Sequence, residues 1–203
     1  MIDETPPPTS RFVVRQQLTM TVNRYTIHPV DDAGNEGPPI AAAQQKRLAF
    51  KERVTFHADE ERTQPVFGFK ARSSMDFGTT YDVTDADGRQ IGWCKKEFPE
   101  SLTRSTWRMG TPALELESVG TERSGAVALI RRIWNLVLED VPSPWRFHFD
   151  FRTPDGTIVM SSDRRRALRD VYDLELPATP SGTRVDWRLG AAMAVALDAL
   201  QSR

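Results

Sequence analysis

Apolar and polar residues alternate with period two along most of this chain, which predicts half-buried antiparallel strands. The clearest case is "WRFHFDFR", where Trp145, Phe147, Phe149 and Phe151 point one way and Arg146, His148, Asp150 and Arg152 the other. In "VTFH", Val54 and Phe56 oppose Arg53, Thr55 and His57. In "VFGFKAR", Phe67, Phe69 and Ala71 share a face, with Gly68, Lys70 and Arg72 behind them. "FVVRQQL", "QIGWCKK" and "VYDLEL" read as further strands. Turn signals separate them at short intervals: "DDAGNEG", "DADG" and "TPDG". Glycine after an acidic residue suits tight hairpins because it adopts positive φ at little cost. Many strands with closely spaced turns predict a sandwich or barrel.

A hairpin grammar recurs. "YTIHPVDDAGNEGPPI", "YDVTDADGRQI" and "FDFRTPDGTI" each place an aromatic two residues before Ile, Val or Phe. A turn with Gly and then an apolar residue follow. The second and third copies align without a gap from Tyr81 to Gly88 and from Phe149 to Gly156. That separation is too long for a solenoid unit and suggests one hairpin reused within one fold. "TPALELESVGTE" reads as a strand followed by a loop, and "EFPESLTRSTWRM" as a hydroxyl-rich loop carrying Arg104 and Trp107.

Two helices interrupt the strands. "RSGAVALIRRIWNLV" sets Ala126, Ile130, Ile133, Trp134 and Val137 at helical spacing, with Arg131 and Arg132 off that face. It predicts an amphipathic surface helix. The other is "WRLGAAMAVALDALQSR", a helix over about residues 186–202 with Asp186 or Thr183 as N-cap. From Leu189 to Leu197 it has no charged or hydrogen-bonding side chain. A helix apolar all round is buried all round or lies in a membrane. Nine residues cover only about 14 Å, under half the hydrocarbon core of a bilayer. Its small alanines let neighbouring backbone approach from every side. A thin helix inside a sleeve of strands is the physical reading.

These residues resemble a known architecture, the tubby C-terminal-domain-like fold shared by tubby proteins, phospholipid scramblases and LURP-one-related proteins. The resemblance is carried by "FVVRQQLTMTVNRYTIHPVDDAGN", "IAAAQQKRLAFKERVTFHADE", "PVFGFKARSSMDFGTTYDVTDADGRQIGWCKK" and "WRLGAAMAVALDAL", spanning roughly residues 11 to 202. It implies a mainly β fold: a closed antiparallel β-barrel of about twelve strands around a buried hydrophobic C-terminal helix, beside one surface helix. It implies one domain over 11–203. The leader over 1–10, with Pro6, Pro7 and Pro8, reads as disordered from its composition. It also implies a non-enzymatic binding or scaffold protein. Tubby-like domains read anionic headgroups with basic strands. The chain departs from scramblases in having one cysteine, no cysteine-rich palmitoylation run and a final helix too short to span a membrane.

Composition changes little. Net charge is −1, so no global basic field predicts a nucleic-acid partner. No 18-residue apolar run predicts a transmembrane span. A lone cysteine and the absence of a secretory signal predict a cytoplasmic protein, peripheral at the membrane if it binds lipid. Basic clusters are the candidate ligand-binding residues for an anionic headgroup. Lys70 and Arg72 share a strand face and can grip a phosphate. Lys46 and Arg47, followed by Lys51 and Arg53, form a second cluster, and Lys95 with Lys96 a third. Each has a plainer reading as solvated charge or edge protection. Arg164, Arg165, Arg166 and Arg169, flanked by Asp163 and Asp170, predict an ion-paired segment.

Catalytic, metal and cofactor sites are not predicted. His28, His57 and His148 share no metal-ligand spacing, and "DDAGNE" lacks the closing Glu of a calcium loop. Cys94 has no neighbouring His, and Ser73, Ser74, Ser161 and Ser162 lack a nucleophile-elbow context. The expected partner is an anionic membrane surface or a protein. The alternatives are a helix-grip domain holding a hydrophobic small molecule, or an enzyme whose site is assembled from distant residues.

Overall fold

The computed structural model of the chain describes residues 9–19, 22–46, 53–72, 80–97, 106–112, 117–122, 148–165 and 171–201. The proposed surface helix over 123–137 falls outside these residues, as do most of the Pro-rich leader, Trp145 to Phe147, Ser73, Ser74, Arg104, Arg166 and Arg169.

Twelve antiparallel strands close into a barrel, each paired with its sequence neighbours, and β1 pairs with β12 to seal it. In order they are β1 (Arg11–Leu18), β2 (Val22–Val30), β3 (Ala41–Lys46), β4 (Val54–His57), β5 (Pro65–Ala71) and β6 (Thr80–Asp85). Then follow β7 (Gln90–Glu97), β8 (Thr106–Gly110), β9 (Glu117–Glu122), β10 (His148–Arg152), β11 (Ile158–Arg165) and β12 (Val171–Glu175). Among the described strands, closure leaves no edge for another chain to pair with. The chain then enters the lumen as helix α1 (Trp187–Gln201).

Alternation places the core. Phe12, Val14, Ile27, Phe56, Phe67, Phe69, Val83, Phe149, Phe151 and Leu174 are all at most 2% exposed and form one cluster with the helix. The helix is enclosed without a break from Leu189 to Asp198. Ten consecutive buried residues exceed two turns, so no direction around its axis faces water. Asp186 is the N-cap: its carboxylate accepts from Arg188 N–H at 2.9 Å and also binds the Arg188 guanidinium at 2.7 Å. The alternative cap, Thr183, instead belongs to the preceding turn. Trp187 seats the helix start, stacked on Phe12 and edge-on to Phe67.

The sleeve is tight enough to need glycine. A Cβ on Gly92 of β7 would lie 2.5 Å from a Leu189 methyl and 2.8 Å from the Gly110 carbonyl. The helix therefore touches the backbone of β7 directly.

Two segments differ from the expectation. Thr106–Gly110, read as loop, is β8, and Glu117–Glu122, read as the loop after a strand, is β9. The reason is an inverted pattern on β9. Its buried, inward positions are Ser118 and Gly120, whereas Val119 is 36% exposed. A Cβ on Gly120 would meet the Phe151 ring at 2.5 Å. The ring fills the lumen from β10, so β9 must be small there.

The strands define two ends. At the end where α1 begins, one turn recurs. Asp31 donates its N–H to Asn35 O and accepts from Gly34 N–H at 3.1 Å. Asp85–Arg89, Thr153–Thr157 and Thr179–Thr183 repeat both bonds, with Gly88, Gly156 and Gly182 as counterparts of Gly34. All four glycines have φ between 83 and 88°. This is a type I turn closed by a left-handed residue, a G1 bulge. The three hairpins of similar sequence are β2–β3, β6–β7 and β10–β11, four strands apart around the barrel.

The β4–β5 turn has Arg62 where the others have glycine, at φ 60°. Asp59 holds it by accepting N–H bonds from Thr63 and Gln64 at 2.9 and 2.8 Å. The Thr63 backbone bond comes first among the causes that hold the Asp59 carboxyl down to about 2. A depressed folded pKa means that this contribution is complete above the ordinary carboxylate range and is lost as pH falls towards 2. Left-handed backbone costs a non-glycine residue about 1–2 kcal/mol, and glycine loses about 0.5–1 kcal/mol more entropy on folding. Arg62→Gly is therefore expected to stabilise by about 0.5–1 kcal/mol, raising Tm by about 2 °C. An unchanged or lower Tm in a calorimetric scan would show that Asp59 has already absorbed the strain.

Candidate functional site: a basic arc on the barrel rim

Strand direction sorts the basic clusters. β3, β5, β7 and β11 all run away from the turn end, so Lys46, Lys70 with Arg72, Lys95 with Lys96, and Arg164 with Arg165 arrive at the opposite end. Arg53 immediately precedes β4 and starts from that same end. The C-terminus of α1 points there too. Clusters separated by twenty or more residues in sequence thus share one rim. Arg47 and Lys51 lie outside the described residues.

Neighbouring strands stand about 4.8 Å apart. Lys46 and Lys70 are separated by β4, and Lys70 and Lys95 by β6. The clusters are side by side along the rim and do not close on a single point. Lys95 and Lys96 go to opposite faces. Lys95 is in register with outward Arg108, and Lys96 with inward Trp107, whose ring centroid is 6.0 Å from the Lys96 ammonium.

Ion pairing separates two kinds of cation. Arg72 is held in a fork by Asp82, Nε to Oδ2 at 3.0 Å and Nη2 to Oδ1 at 2.5 Å. Its guanidinium therefore presents no open fork beside Lys70. Arg108 pairs with Glu97 at 2.6 Å and Glu117 at 3.1 Å. Arg165 bridges Asp173 and Glu36. By contrast, Arg24, Arg53, Lys70 and Lys95 make no ion pair or side-chain hydrogen bond with the described residues. Arg24, Lys70 and Lys95 stand on β2, β5 and β7 and Arg53 just before β4, with β3 and β6 between them. Arg24, Arg53 and Lys70 are exposed and Lys95 is half-buried. Arg24 was not among the candidates because it is isolated in sequence, in "VNRYTIH". Its signal was its outward phase, one residue before inward Tyr25.

The other half of the rim is mixed. His148 binds Asp163 at 2.6 Å, and Arg165 is doubly paired. That half matches the expected ion-paired segment around Arg164.

Inside the rim lies a polar group that sequence reasoning missed. Asp198, 5% exposed, accepts hydrogen bonds from Tyr172 and, at 3.2 Å, from Tyr25. Gln16 Nε2 donates to the Tyr25 hydroxyl at 3.0 Å. Burial, then the neighbouring Asp198 charge, pushes the Tyr25 phenol far above its usual range. This cluster fixes the depth of the helix in the barrel.

The nucleophile candidates look structural. Cys94 is fully buried and desolvation pushes its thiol up to about 12, the wrong direction for a reactive thiolate. Ser162 is buried in the core face of β11, and Ser161 Oγ donates to Asp150. Among the described residues, no three His, Cys, Asp or Glu side chains are grouped to hold a metal ion, and no helix is long and apolar enough to cross a membrane.

No curated protein matches the chain in sequence. The LURP-one-related family model matches residues 40–198, from the residue before β3 to the buried carboxylate of the helix. That span covers ten of the twelve strands and most of the enclosed helix, so the chain belongs to the LURP-one-related family.

Proposed function

We propose that this barrel is a non-enzymatic binding module whose rim arc holds anionic membrane lipid headgroups. The observation that supports it is that Arg24, Arg53, Lys70 and Lys95, which have no ion pair among the described residues, lie toward one end of the barrel on the side of strands β2 to β7. Lumen and helix are packed against each other, which leaves the outside of the barrel to do the binding. The packed lumen also disfavours the helix-grip alternative. The inertness of Cys94 and the structural roles of Ser161 and Ser162 speak against the nucleophiles an enzyme would need.

Each basic residue near an anionic bilayer contributes about 1 kcal/mol. The expected result is binding to vesicles rich in phosphatidylserine that weakens steeply with salt. Replacing Arg24, Arg53, Lys70 and Lys95 together by Gln is expected to weaken binding at least a hundredfold. Because these side chains make no ion pair among the described residues and lie outside the core, Tm should stay within about 2 °C. Co-sedimentation at graded acidic-lipid content measures both. Retained binding by the fourfold variant would assign the interaction to another surface.

A further inference from the structure

Among the described strands, every pairing joins sequence neighbours except that of β1 with β12. This pairing, from Arg11 with Glu175 to Arg15 with Val171, closes the barrel. Strands that are neighbours in sequence stay tethered to each other when they part. The two sides of the closing seam are tethered only through the rest of the chain, so re-forming it costs the most loop entropy. Whatever holds this seam has the greatest influence on how readily the barrel opens.

Two carboxylates, neither of them on the seam strands, lie one on each side of it. Inside, Asp198 of α1 accepts from the Tyr25 hydroxyl of β2 at 3.2 Å and from the Tyr172 hydroxyl of β12. β1 lies between these two strands, and its Gln16 donates to the Tyr25 hydroxyl at 3.0 Å. One side chain of the helix therefore gathers β2, β1 and β12.

Outside, Glu36 of the β2–β3 loop makes the matching reach. Its Oε2 accepts from Arg15 Nε at 3.2 Å and from Arg15 Nη2 at 2.6 Å, and its Oε1 stands 3.5 Å from Arg165 Nη1. Arg15 is on β1 and Arg165 on β11, and both are in register with Val171 of β12. The carboxylate therefore spans β1, β12 and β11. Arg165 completes the chain of charges by binding Asp173 of β12, Nε at 2.6 Å and Nη2 at 2.5 Å.

The wall beneath is apolar. Val13 and Val171, out of phase with inward Phe12, Val14 and Tyr172, join Val30 in a buried cluster apart from the lumen. Low-dielectric surroundings strengthen the attraction between the charges above them. Backbone holds the loop in place for this reach: Gly37 N–H donates to Pro29 O at 2.8 Å, and His28 Nδ1 lies 3.0 Å from Gly37 O. The Arg15 hydrogen bond, first among the causes, holds the Glu36 carboxyl below its usual range.

We propose that Asp198 and Glu36 form a two-sided clasp on the closing seam, the inner carboxylate fixing the helix to it and the outer one acting as a latch that sets how readily the barrel opens there. The two halves differ in access. Asp198 is 5% exposed, whereas the Arg15 and Glu36 side chains are 43% and 25% exposed. Dissolved ions reach the latch and not the inner clasp, so opening at the seam is governed from outside and responds to salt. The competing place of opening is β3–β4, where one registered pair, Ala42 with His57, is described.

Native-state amide hydrogen exchange, read strand by strand, tests the latch. Glu36→Gln keeps the size of the side chain and removes its charge, and Arg15→Gln removes the other end of the same bonds. Each is expected to speed exchange in β1 and β12 about fivefold, the scale of a partly exposed ion pair, and to leave β5 and β6 unchanged. Added salt should act on the parent at the same strands and have little further effect on Glu36→Gln. A disulfide across the seam, from Arg11→Cys with Glu175→Cys, should cancel the effect of Glu36→Gln. Directly opposed strand residues lie within disulfide reach, and Cys94 is buried away from them. Equal acceleration in every strand, acceleration centred on β3 and β4, no acceleration in either variant, or acceleration that survives the disulfide overturns the latch.

Discussion

Val195→Asp is expected to abolish the cooperative fold, and Ala194→Arg to do the same. Both positions are 0% exposed at the middle of α1, where strands enclose the helix on all sides. A carboxylate there finds apolar side chains and strand backbone whose hydrogen bonds are committed to the barrel ladder. The effective penalty for an ion buried without a partner is several kcal/mol after relaxation. Total stability of a domain is about 5–15 kcal/mol. Ala194→Arg adds overpacking, since a helix that already meets Gly92 backbone through Leu189 has no slack for a long side chain. Sliding the helix outwards would free the new charge but strip Asp198 from Tyr25 and Tyr172. Far-UV circular dichroism on heating is the measurement. A soluble variant melting cooperatively within about 5 °C of the parent would mean that the helix can leave the lumen without unfolding the barrel.

Much of this fold was legible because two periodicities do not compete. Strands such as β4 and β6 alternate cleanly, most turns carry glycine where positive φ is needed, and α1 has no wet face. What resisted reading was β8 and β9. There the interior is filled by Trp107 and Phe151, and their neighbours are correspondingly reduced to Ser118 and Gly120. Local pattern cannot show that a cross-strand ring has taken the space. The rim site was half legible. Clusters contiguous in sequence were visible, but Lys95 and Lys96 separate onto opposite faces and Asp82 claims Arg72. Arg24 and Asp198 each stand alone in sequence and gain meaning only from what barrel closure sets beside them. The first adds to the basic arc and the second becomes a buried acceptor.

The double substitution Tyr25→Phe with Tyr172→Phe is expected to destabilise by about 3–5 kcal/mol, the cost of breaking a buried charged group away from its partners. Phenylalanine keeps each ring in the core, so packing is nearly conserved and the loss is confined to two hydroxyl donors. Those hydroxyls are what the Asp198 carboxylate accepts from, and Gln16 loses its acceptor with Tyr25. A further substitution separates this account from a packing defect. Adding Asp198→Asn removes the charge that the two tyrosines serve and should recover part of the loss. Urea unfolding measures both variants. No recovery in the triple variant would assign the deficit to packing and leave the carboxylate without a role in holding the helix.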